Sequence, residues 1–96
     1  MQDKNIVLEC ETRTAVRAGK KIKLSPKEYK LLSYFLEHKN SLVDRRKLLT
    51  FIWQYAPDVE TRVVDVYVGY LRRKIDSGFS ERLIYSVRGS GYIFRG

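Results

Sequence analysis

The stretch that decides the fold is ETRVVDVYVGYLRRK, residues 60–74. Its aliphatic side chains recur at helical spacing, so that one stripe of a helix is apolar and suited to pack against a core. That stripe consists of Val64, Val68, Leu71 and Ile75. We therefore predict a helix over residues 60–75 that packs on its aliphatic side.

The opposite side of this helix is basic. It carries Arg62, Val66, Gly69 and Arg73, flanked by Tyr70 and Arg72. A single acid, Asp65, lies at its edge beside the arginines, and we interpret it as orienting them. Arginines bind phosphates, and small side chains let a helix approach bases in a groove. The face indicates nucleic-acid binding, although a solvated basic helix fits the same pattern.

Composition indicates a basic, globular, single-domain protein. The chain has 96 residues, of which 44% are hydrophobic and 31% charged, and its formal net charge is +8. This surplus favours an anionic partner, either nucleic acid or a membrane surface. No apolar run is long enough to span a membrane, and the N-terminus lacks a signal-peptide pattern. A lone cysteine, Cys10, excludes an internal disulfide, so we expect a cytoplasmic protein with Cys10 buried in a strand.

The N-terminal half combines strand and helix signals. Residues 6–24 alternate apolar and polar side chains, which predicts an antiparallel meander of short strands with one apolar face. Ser25, Pro26 and Glu28 form a capping-box pattern, which predicts a helix over residues 26–38. Residues 41–43 are interpreted as an extended link, and Asp44 is a suitable N-cap for a second helix over residues 45–53.

The second half of the chain has the pattern of a helix-turn-helix followed by a hairpin. The cations Arg45, Arg46 and Lys47 lie in the first turn of the second helix, where they interact unfavourably with the helix dipole. A phosphate bound at that N-terminus would offset this cost and use the free amide groups; the alternative is that the three cations are solvated. Pro57 ends that helix in a short loop, so the second and third helices form a helix-turn-helix arrangement. Residues 83–94 predict a β-hairpin, which would form a wing beside the basic helix.

In order and spacing, several motifs of this chain resemble the winged-helix effector domain of the OmpR/PhoB family of bacterial response regulators. They are LSPKEY at 24–29 with LL at 31–32, LL at 48–49 through Trp53, VDVYV at 64–68, LRRK at 71–74, and VRGSGY at 87–92. Each motif is weak alone, and their combination is specific. The resemblance extends from about Ile6 to Phe94.

The resemblance implies an α+β fold, a winged helix-turn-helix with an N-terminal antiparallel sheet, three helices and a C-terminal hairpin wing. That sheet has four strands in the family, but only five residues precede Ile6 here, so the first strand is expected to be absent or truncated. In such domains the third helix enters the major groove of double-stranded DNA and the wing reaches the adjacent minor groove. Pairs of domains bind head to tail on direct-repeat half-sites in promoters.

The resemblance also implies partners beyond DNA. The loop between the second and third helices of such domains contacts RNA polymerase. This sequence contains no receiver domain, so we expect an excised effector domain rather than a stand-alone protein. Without its receiver domain it is expected to be a monomer that pairs only on DNA.

By position, the resemblance implies particular contact residues. The expected DNA contacts are Arg45 and Trp53 to phosphates, Arg62, Val66, Gly69, Tyr70 and Arg72 on the recognition helix, and Ser86, Arg88 and Tyr92 on the wing; the basic face adds Arg73. The expected polymerase-facing loop comprises Gln54, Tyr55, Ala56, Pro57, Asp58 and Val59. Some family members carry arginines where this chain has Gly69 and Tyr70, which leaves direct guanine reading at those positions open.

Other functions have weaker support. Catalysis is not expected because the chain has one histidine, one cysteine and no motif of paired carboxylates. His38 lacks a second ligand nearby and is interpreted as a surface residue, so neither a metal nor a cofactor is expected. RNA binding is disfavoured because most aromatics lie at core spacing. A basic winged helix that docks an acidic protein is the main alternative; it becomes less attractive if the arginines of separate elements converge on one face.

Overall fold

Residues 6–96, the part of the chain that the computed structural model describes, contain two three-stranded antiparallel sheets and three α-helices. The first sheet has the order β1-β2-β3, and the second has the order β4-β6-β5. In chain order the elements are β1 (Ile6–Glu9), β2 (Thr14–Arg17), β3 (Lys20–Lys23), α1 (Pro26–Glu37), β4 (Leu42–Asp44), α2 (Arg45–Trp53), α3 (Val63–Leu71), β5 (Ile84–Val87) and β6 (Gly91–Phe94). The first family strand, which was expected to be absent or truncated, would fall on residues 1–5, outside the described residues.

The N-terminal sheet is the meander that the alternating pattern predicts. Ala15 pairs with Leu8 on one side and Ile22 on the other, and this row faces the core. The prediction of a buried Cys10 is wrong, because Cys10 is exposed. Strand β1 ends at Glu9, and the Cys10 carbonyl accepts a hydrogen bond from the Arg13 amide at 3.4 Å within the following turn. The side chain therefore leaves the alternation that would have buried it.

Helix α1 begins with the predicted capping box. The Ser25 hydroxyl accepts from the Glu28 amide at 3.3 Å, and the Glu28 carboxylate accepts from the Ser25 amide at 2.8 Å. Glu28 is buried and also accepts from Lys74 Nζ at 2.6 Å. Burial by itself would raise the pKa of Glu28, but the bonds from Lys74 and Ser25 outweigh it and lower that pKa below 4.5. Glu28 thus joins the start of α1 to the end of the basic helix as a carboxylate.

We expect Glu28→Gln to reduce the loss of stability in acid. Because the pKa of Glu28 is lower in the folded chain than in the unfolded chain, its contribution is present above the unfolded value of 4.5 and is lost as pH falls through the folded value. The variant should be less stable near neutral pH by about 1–3 kcal/mol. Urea unfolding at about pH 7 and about pH 3 tests this. The exposed Glu37→Gln is the control, and equal acid sensitivity in Glu28→Gln and wild type would contradict the assignment.

The segment predicted as an extended link is a strand. Residues of β4 pair antiparallel with β6, with Val43 opposite Tyr92 and Asp44 opposite Gly91. The partner strand lies far along the chain, and two of the three β4 residues are exposed, so the local pattern carries little strand signal. Strand β4 anchors the hairpin of β5 and β6 to the start of α2, which directly follows it.

Helix α3 is shorter than the predicted span of residues 60–75. It begins at Val63 rather than Glu60, because the Thr61 hydroxyl accepts from the Val63 amide at 3.2 Å and Arg62 has a non-helical ψ of 17°. After Leu71 the chain widens into one π-helical turn, Arg72–Asp76, in which the Ser77 amide donates to the Arg72 carbonyl at 2.9 Å. The predicted apolar stripe is confirmed, since none of its side chains is more than 1% exposed.

A buried arginine that the sequence analysis did not single out holds the π-helical turn. Arg17 of β2 donates to the Ile75 carbonyl, to the Asp76 carboxylate at 3.4 Å and to the Glu81 carbonyl at 2.7 Å. Its guanidinium also lies 4.3 Å from the centre of the Phe79 ring. The carboxylate of Asp76 in turn accepts from the Leu83 and Ile84 amides at 3.0 and 3.2 Å. The N-terminal sheet is thus bonded to the end of α3 and to the start of the hairpin.

Candidate nucleic-acid interface

The side of α3 that faces away from the core forms a continuous surface. Val66 is 43% exposed and Tyr70 38% exposed, while Arg62 and Arg73 are exposed at the two ends. Gly69 lies between them, and no atom lies within 4 Å of the position that a side-chain Cβ would occupy. The surface is therefore basic at its two ends. In the middle it is apolar, and at Gly69 no side chain protrudes from the helix.

Asp65, at the first turn of α3, binds the two flanking elements. Its carboxylate accepts from Arg45 Nε at 3.2 Å and from Arg45 Nη2 at 3.0 Å, and Arg45 Nη2 also donates to the Thr61 carbonyl at 3.4 Å. The hydroxyl of Tyr92 on β6 donates to the same carboxylate. Asp65 therefore joins the first residue of α2, the first turn of α3 and the hairpin.

The ionisation states of this network are fixed at neutral pH. Burial would raise the pKa of Asp65, but hydrogen bonds from Arg45 and Tyr92 reverse the effect and lower it. Burial, followed by the bond to Asp65, raises the pKa of Tyr92 to about 12. The bond to Asp65 likewise raises the pKa of Arg45. The network thus consists of a carboxylate, a guanidinium and a protonated phenol.

The other end of α3 is bonded to strand β5. Arg72 donates to the Ile84 carbonyl at 3.3 Å from Nε and 3.2 Å from Nη2, and to the Ser86 hydroxyl at 2.7 Å. Its guanidinium lies 5.6 Å from the centre of the Tyr92 ring. Arg72, Ser86 and Tyr92 were each expected to contact DNA, and in this structure they contact one another. They make α3 and the hairpin a single unit.

An aromatic row runs from α2 across α3. Half-buried Trp53 packs edge-on against Tyr67 with ring centres 5.2 Å apart, and Tyr67 packs edge-on against Tyr70 at 5.1 Å. The Arg73 guanidinium lies 5.8 Å from the centre of the Tyr70 ring. The row supports the exposed Tyr70 ring from behind and limits its side-chain freedom. Tyr67 was missed by the sequence analysis, although its position one turn before Leu71 was a usable signal.

The tip of the hairpin lies beside the start of α2. Arg88, Gly89 and Ser90 are exposed there, and the Ser90 amide donates to the Val87 carbonyl at 2.9 Å. A cavity of about 310 Å³ separates the tip from the helix; its lining residues are Leu42, Asp44, Arg45, Arg46, Gly89 and Ser90. The Asp44 carboxylate accepts from the Arg46 amide at 2.7 Å, which confirms Asp44 as the N-cap and occupies one donor that a phosphate was expected to use.

The comparisons with known proteins agree on the family. The family model described as "Transcriptional regulatory protein, C terminal" matches residues 19–94. The chain belongs to this family. It is a DNA-binding transcription-regulator domain of the OmpR/PhoB response-regulator type, and it is not an enzyme.

Individual relatives give the same result. The transcriptional regulatory protein YkoG of Bacillus subtilis is 37% identical over 86 residues, which cover 90% of this chain and 38% of YkoG. The DNA-binding domain of RstA from Klebsiella pneumoniae, solved in complex with the RstA box, has a TM-score of 0.85 at 26% identity, covering 99% of this chain and 95% of that one. The response regulator DrrB of Thermotoga maritima, described as an OmpR/PhoB homolog, has a TM-score of 0.82 at 30% identity, covering 100% of this chain and 44% of DrrB. The predicted α+β winged-helix fold is confirmed.

In this response-regulator domain, residues 54–60 of the loop between α2 and α3 are all exposed. Gln54 ends α2 in the left-handed conformation with a φ of 60°, and its amide donates to the Leu49 and Thr50 carbonyls. The Val59 amide donates to the Ala56 carbonyl at 3.1 Å, which folds the middle of the loop into a turn. Tyr55 is 44% exposed and Val59 43% exposed. The loop thus offers apolar side chains at the surface next to α3.

Two residues of the domain lie away from this surface. His38 caps the end of α1, is exposed, and stacks on Tyr34 with ring centres 4.2 Å apart. The buried Arg17 contacts the end of α3 from the core side.

Within residues 6–96 no helix has the length and apolar character needed to cross a membrane.

Proposed function

We propose that this domain binds double-stranded DNA in a sequence-specific manner, with α3 in the major groove and the hairpin of β5 and β6 as a wing in the adjacent minor groove. One observation carries the proposal: the outward side of α3 and the hairpin are held together at both ends of α3, by Asp65 with Tyr92 and by Arg72 with Ser86. A helix that enters a groove alone fixes only its own position. When the helix is bonded to a wing, the distance between the two elements is fixed, so that both fit adjacent grooves at the same time.

The exposed residues of α3 divide into two roles in this proposal. Arg62, Val66 and Tyr70 would contact base edges, since an arginine and apolar side chains can discriminate bases in the major groove. Gly69 would allow close approach, because nothing occupies the space where a side chain would extend. Arg73 and Trp53 would contact phosphates, which fixes the register of the helix on the duplex.

Arginines of several elements support a DNA interface over an acidic protein partner. Arg62 and Arg73 border α3, and Arg45 and Arg72 are bonded to α3 or to the wing. Arg88 is exposed at the wing tip, next to Gly89, which lines the cavity at the start of α2. Arg88 would reach the minor groove. Arg72 was expected to contact DNA from the recognition helix; we now propose that it mainly joins helix and wing.

We propose the whole-protein context on the same basis. The chain spans 38% of the length of YkoG and 44% of DrrB. It would act in the bacterial cytoplasm as the output domain of a two-component regulator whose receiver domain controls it. Two domains would pair head to tail on direct-repeat half-sites in promoters. The exposed loop Gln54–Val59 would contact RNA polymerase.

Selection from a pool of randomised duplexes, carried out at two salt concentrations, tests the function. We expect enrichment of a direct repeat with half-sites about one helical turn apart. Binding to unselected duplex should weaken more steeply with salt, because it consists of phosphate contacts alone. Binding that enriches no motif would overturn the proposal and leave an acidic protein as the partner to test.

Arg62→Ala should reduce discrimination rather than general affinity. If Arg62 contacts a base edge, its loss should weaken binding to the selected duplex by about 1–3 kcal/mol and binding to random duplex by less. Fluorescence anisotropy with both duplexes measures the two affinities. Lys30→Ala, which removes an exposed cation from α1, is the matched control and should change neither by much. An equal loss on both duplexes would show that Arg62 contacts only phosphates.

A further inference from the structure

We infer that Asp65 is a specificity-determining residue that acts by positioning: it holds Arg45 and Tyr92 against α3 and thereby keeps Arg45 from binding the phosphates of non-cognate DNA. The inference rests on the proposed function and goes beyond it, because it gives the one acid of this surface a defined task. It also replaces the expectation that Arg45 and Tyr92 are independent DNA contacts.

A carboxylate at this position needs an explanation. Asp65 is the only acid among residues 61–75, on the helix proposed to enter the groove. A negative charge there repels phosphates and lowers affinity for any DNA. Both carboxylate oxygens are used, one by Arg45 Nε and Tyr92 and the other by Arg45 Nη2. The charge therefore serves contacts between elements of the protein.

The geometry of the pair restricts what Arg45 can bind. A guanidinium held through Nε and Nη2 has a fixed plane, and its Nη1 is on the side away from the carboxylate. The Arg45 side chain is 40% exposed, so a phosphate can reach it. The held guanidinium meets that phosphate in one orientation, which suits the register in which α3 also meets its bases. An Arg45 that is released from Asp65 has a flexible side chain and would bind phosphates in many orientations.

The bond from Tyr92 adds the wing to the same constraint. Tyr92 is only 8% exposed, and its hydroxyl reaches Asp65 from the central strand of the C-terminal sheet. The spacing between wing and α3 is therefore set at one end by Asp65. Without this bond, the hairpin would be bonded only near the other end of α3, by Arg72 to Ser86 and the Ile84 carbonyl and by Asp76 to the Ile84 amide.

Asp65→Asn tests the inference, because asparagine keeps the shape and removes the charge. We expect affinity for random duplex to rise, and the ratio of cognate to random affinity to fall by about tenfold. The salt dependence on random duplex should steepen by about 0.9 in the logarithmic slope, the value for one additional phosphate contact. Glu37→Gln, which removes an exposed charge from the end of α1, is the control and should leave the ratio unchanged.

A double variant separates positioning from a general gain of positive charge. In an Arg45→Ala background, Asp65→Asn should no longer steepen the salt slope or lower the ratio of affinities, because the guanidinium that it would release is absent. The lost repulsion of phosphates should then raise cognate and random-duplex affinity alike. Persistence of the full effect in that background would overturn the inference. An unchanged affinity ratio in the single variant would also overturn it.

Tyr92→Phe keeps the test valid if Asp65→Asn does not fold. It removes only the hydroxyl, so the ratio of affinities should fall while the salt slope stays that of wild type. An unchanged ratio in this variant would contradict the role of the wing. Absence of any cognate preference in the wild-type protein is a separate result, which would refute the proposed function itself.

Discussion

Replacing Arg17 by methionine is expected to lower the free energy of unfolding by about 3–5 kcal/mol, the range found when one partner of a buried ion pair is removed. The side chains of Arg17 and Asp76 are only 5% and 9% exposed. Methionine keeps the apolar stem but leaves the Ile75 and Glu81 carbonyls without this donor. It also leaves the Asp76 carboxylate in a buried position with its amide donors alone.

Urea unfolding at neutral pH measures this change. Lys21→Met, which removes an exposed cation from the neighbouring strand, is the control and should shift stability by less than about 0.5 kcal/mol. We also expect Arg17→Met to lower DNA affinity, because Arg17 holds the turn that follows α3. A loss of stability no larger than that of the control would mean that the contacts of Arg17 contribute little to the fold.

Gly91→Ala is expected to destabilise the domain by about 3–5 kcal/mol, combining backbone strain with overpacking. Gly91 has a φ of 157°, and a Cβ there would lie 2.0 Å from the Val43 carbonyl oxygen. That oxygen belongs to β4, the strand that anchors the hairpin. The clash can be relieved only if β4 and β6 separate, which would also release the wing from α2.

A second glycine of the same hairpin provides the control. Gly89 has a φ of 75°, but nothing lies within 4 Å of its Cβ position. Gly89→Ala should therefore lower the free energy of unfolding by only about 1–2 kcal/mol, the cost of placing alanine in the left-handed conformation. Thermal and urea unfolding of both variants compare the two effects. If Gly91→Ala were no worse than Gly89→Ala, β4 and β6 would not approach as closely as the structure indicates.

Local signals in the sequence predicted much of the fold. Ser25 and Glu28 form the capping box, and Asp44 caps α2, because such contacts involve residues only two or three positions apart. The apolar stripe of α3 was readable for the same reason, since helical periodicity reflects which side is buried. The family motifs extended this local information to the wing.

Long-range pairing could not be predicted in the same way. Strand β4 exists because residues 91–93 pair with it, and no feature near residue 42 indicates that partner. A buried Arg17 is unfavourable on its own and becomes stable only through acceptors at residues 75–81. The start of α3 at Val63 depends on the hydroxyl of Thr61, which accepts from the Val63 amide. The local sequence fits a helical Thr61 equally well, so it did not predict this start.

For the candidate site, the sequence predicted which side of α3 faces outward but not the contacts between the residues of the site. Periodicity identified Arg62, Val66 and Tyr70 as the outward residues of α3, and they are exposed. It gave no information that Arg72 would bond to Ser86, or that Tyr92 would bond to Asp65. These bonds join elements that are distant in sequence, so only the folded chain brings their donors and acceptors together.

The most direct test of whether α3 and the wing bind DNA together is to map the contact surface by NMR, following the amide signals of the isotope-labelled domain as the selected duplex is added. We expect the largest shifts on the outward side of α3 and on the wing tip, residues 88–90. Signals from the outer side of α1, such as Lys30 and Glu37, should change little. Shifts centred on α1 or on the N-terminal sheet would contradict the claim that α3 and the wing bind DNA together.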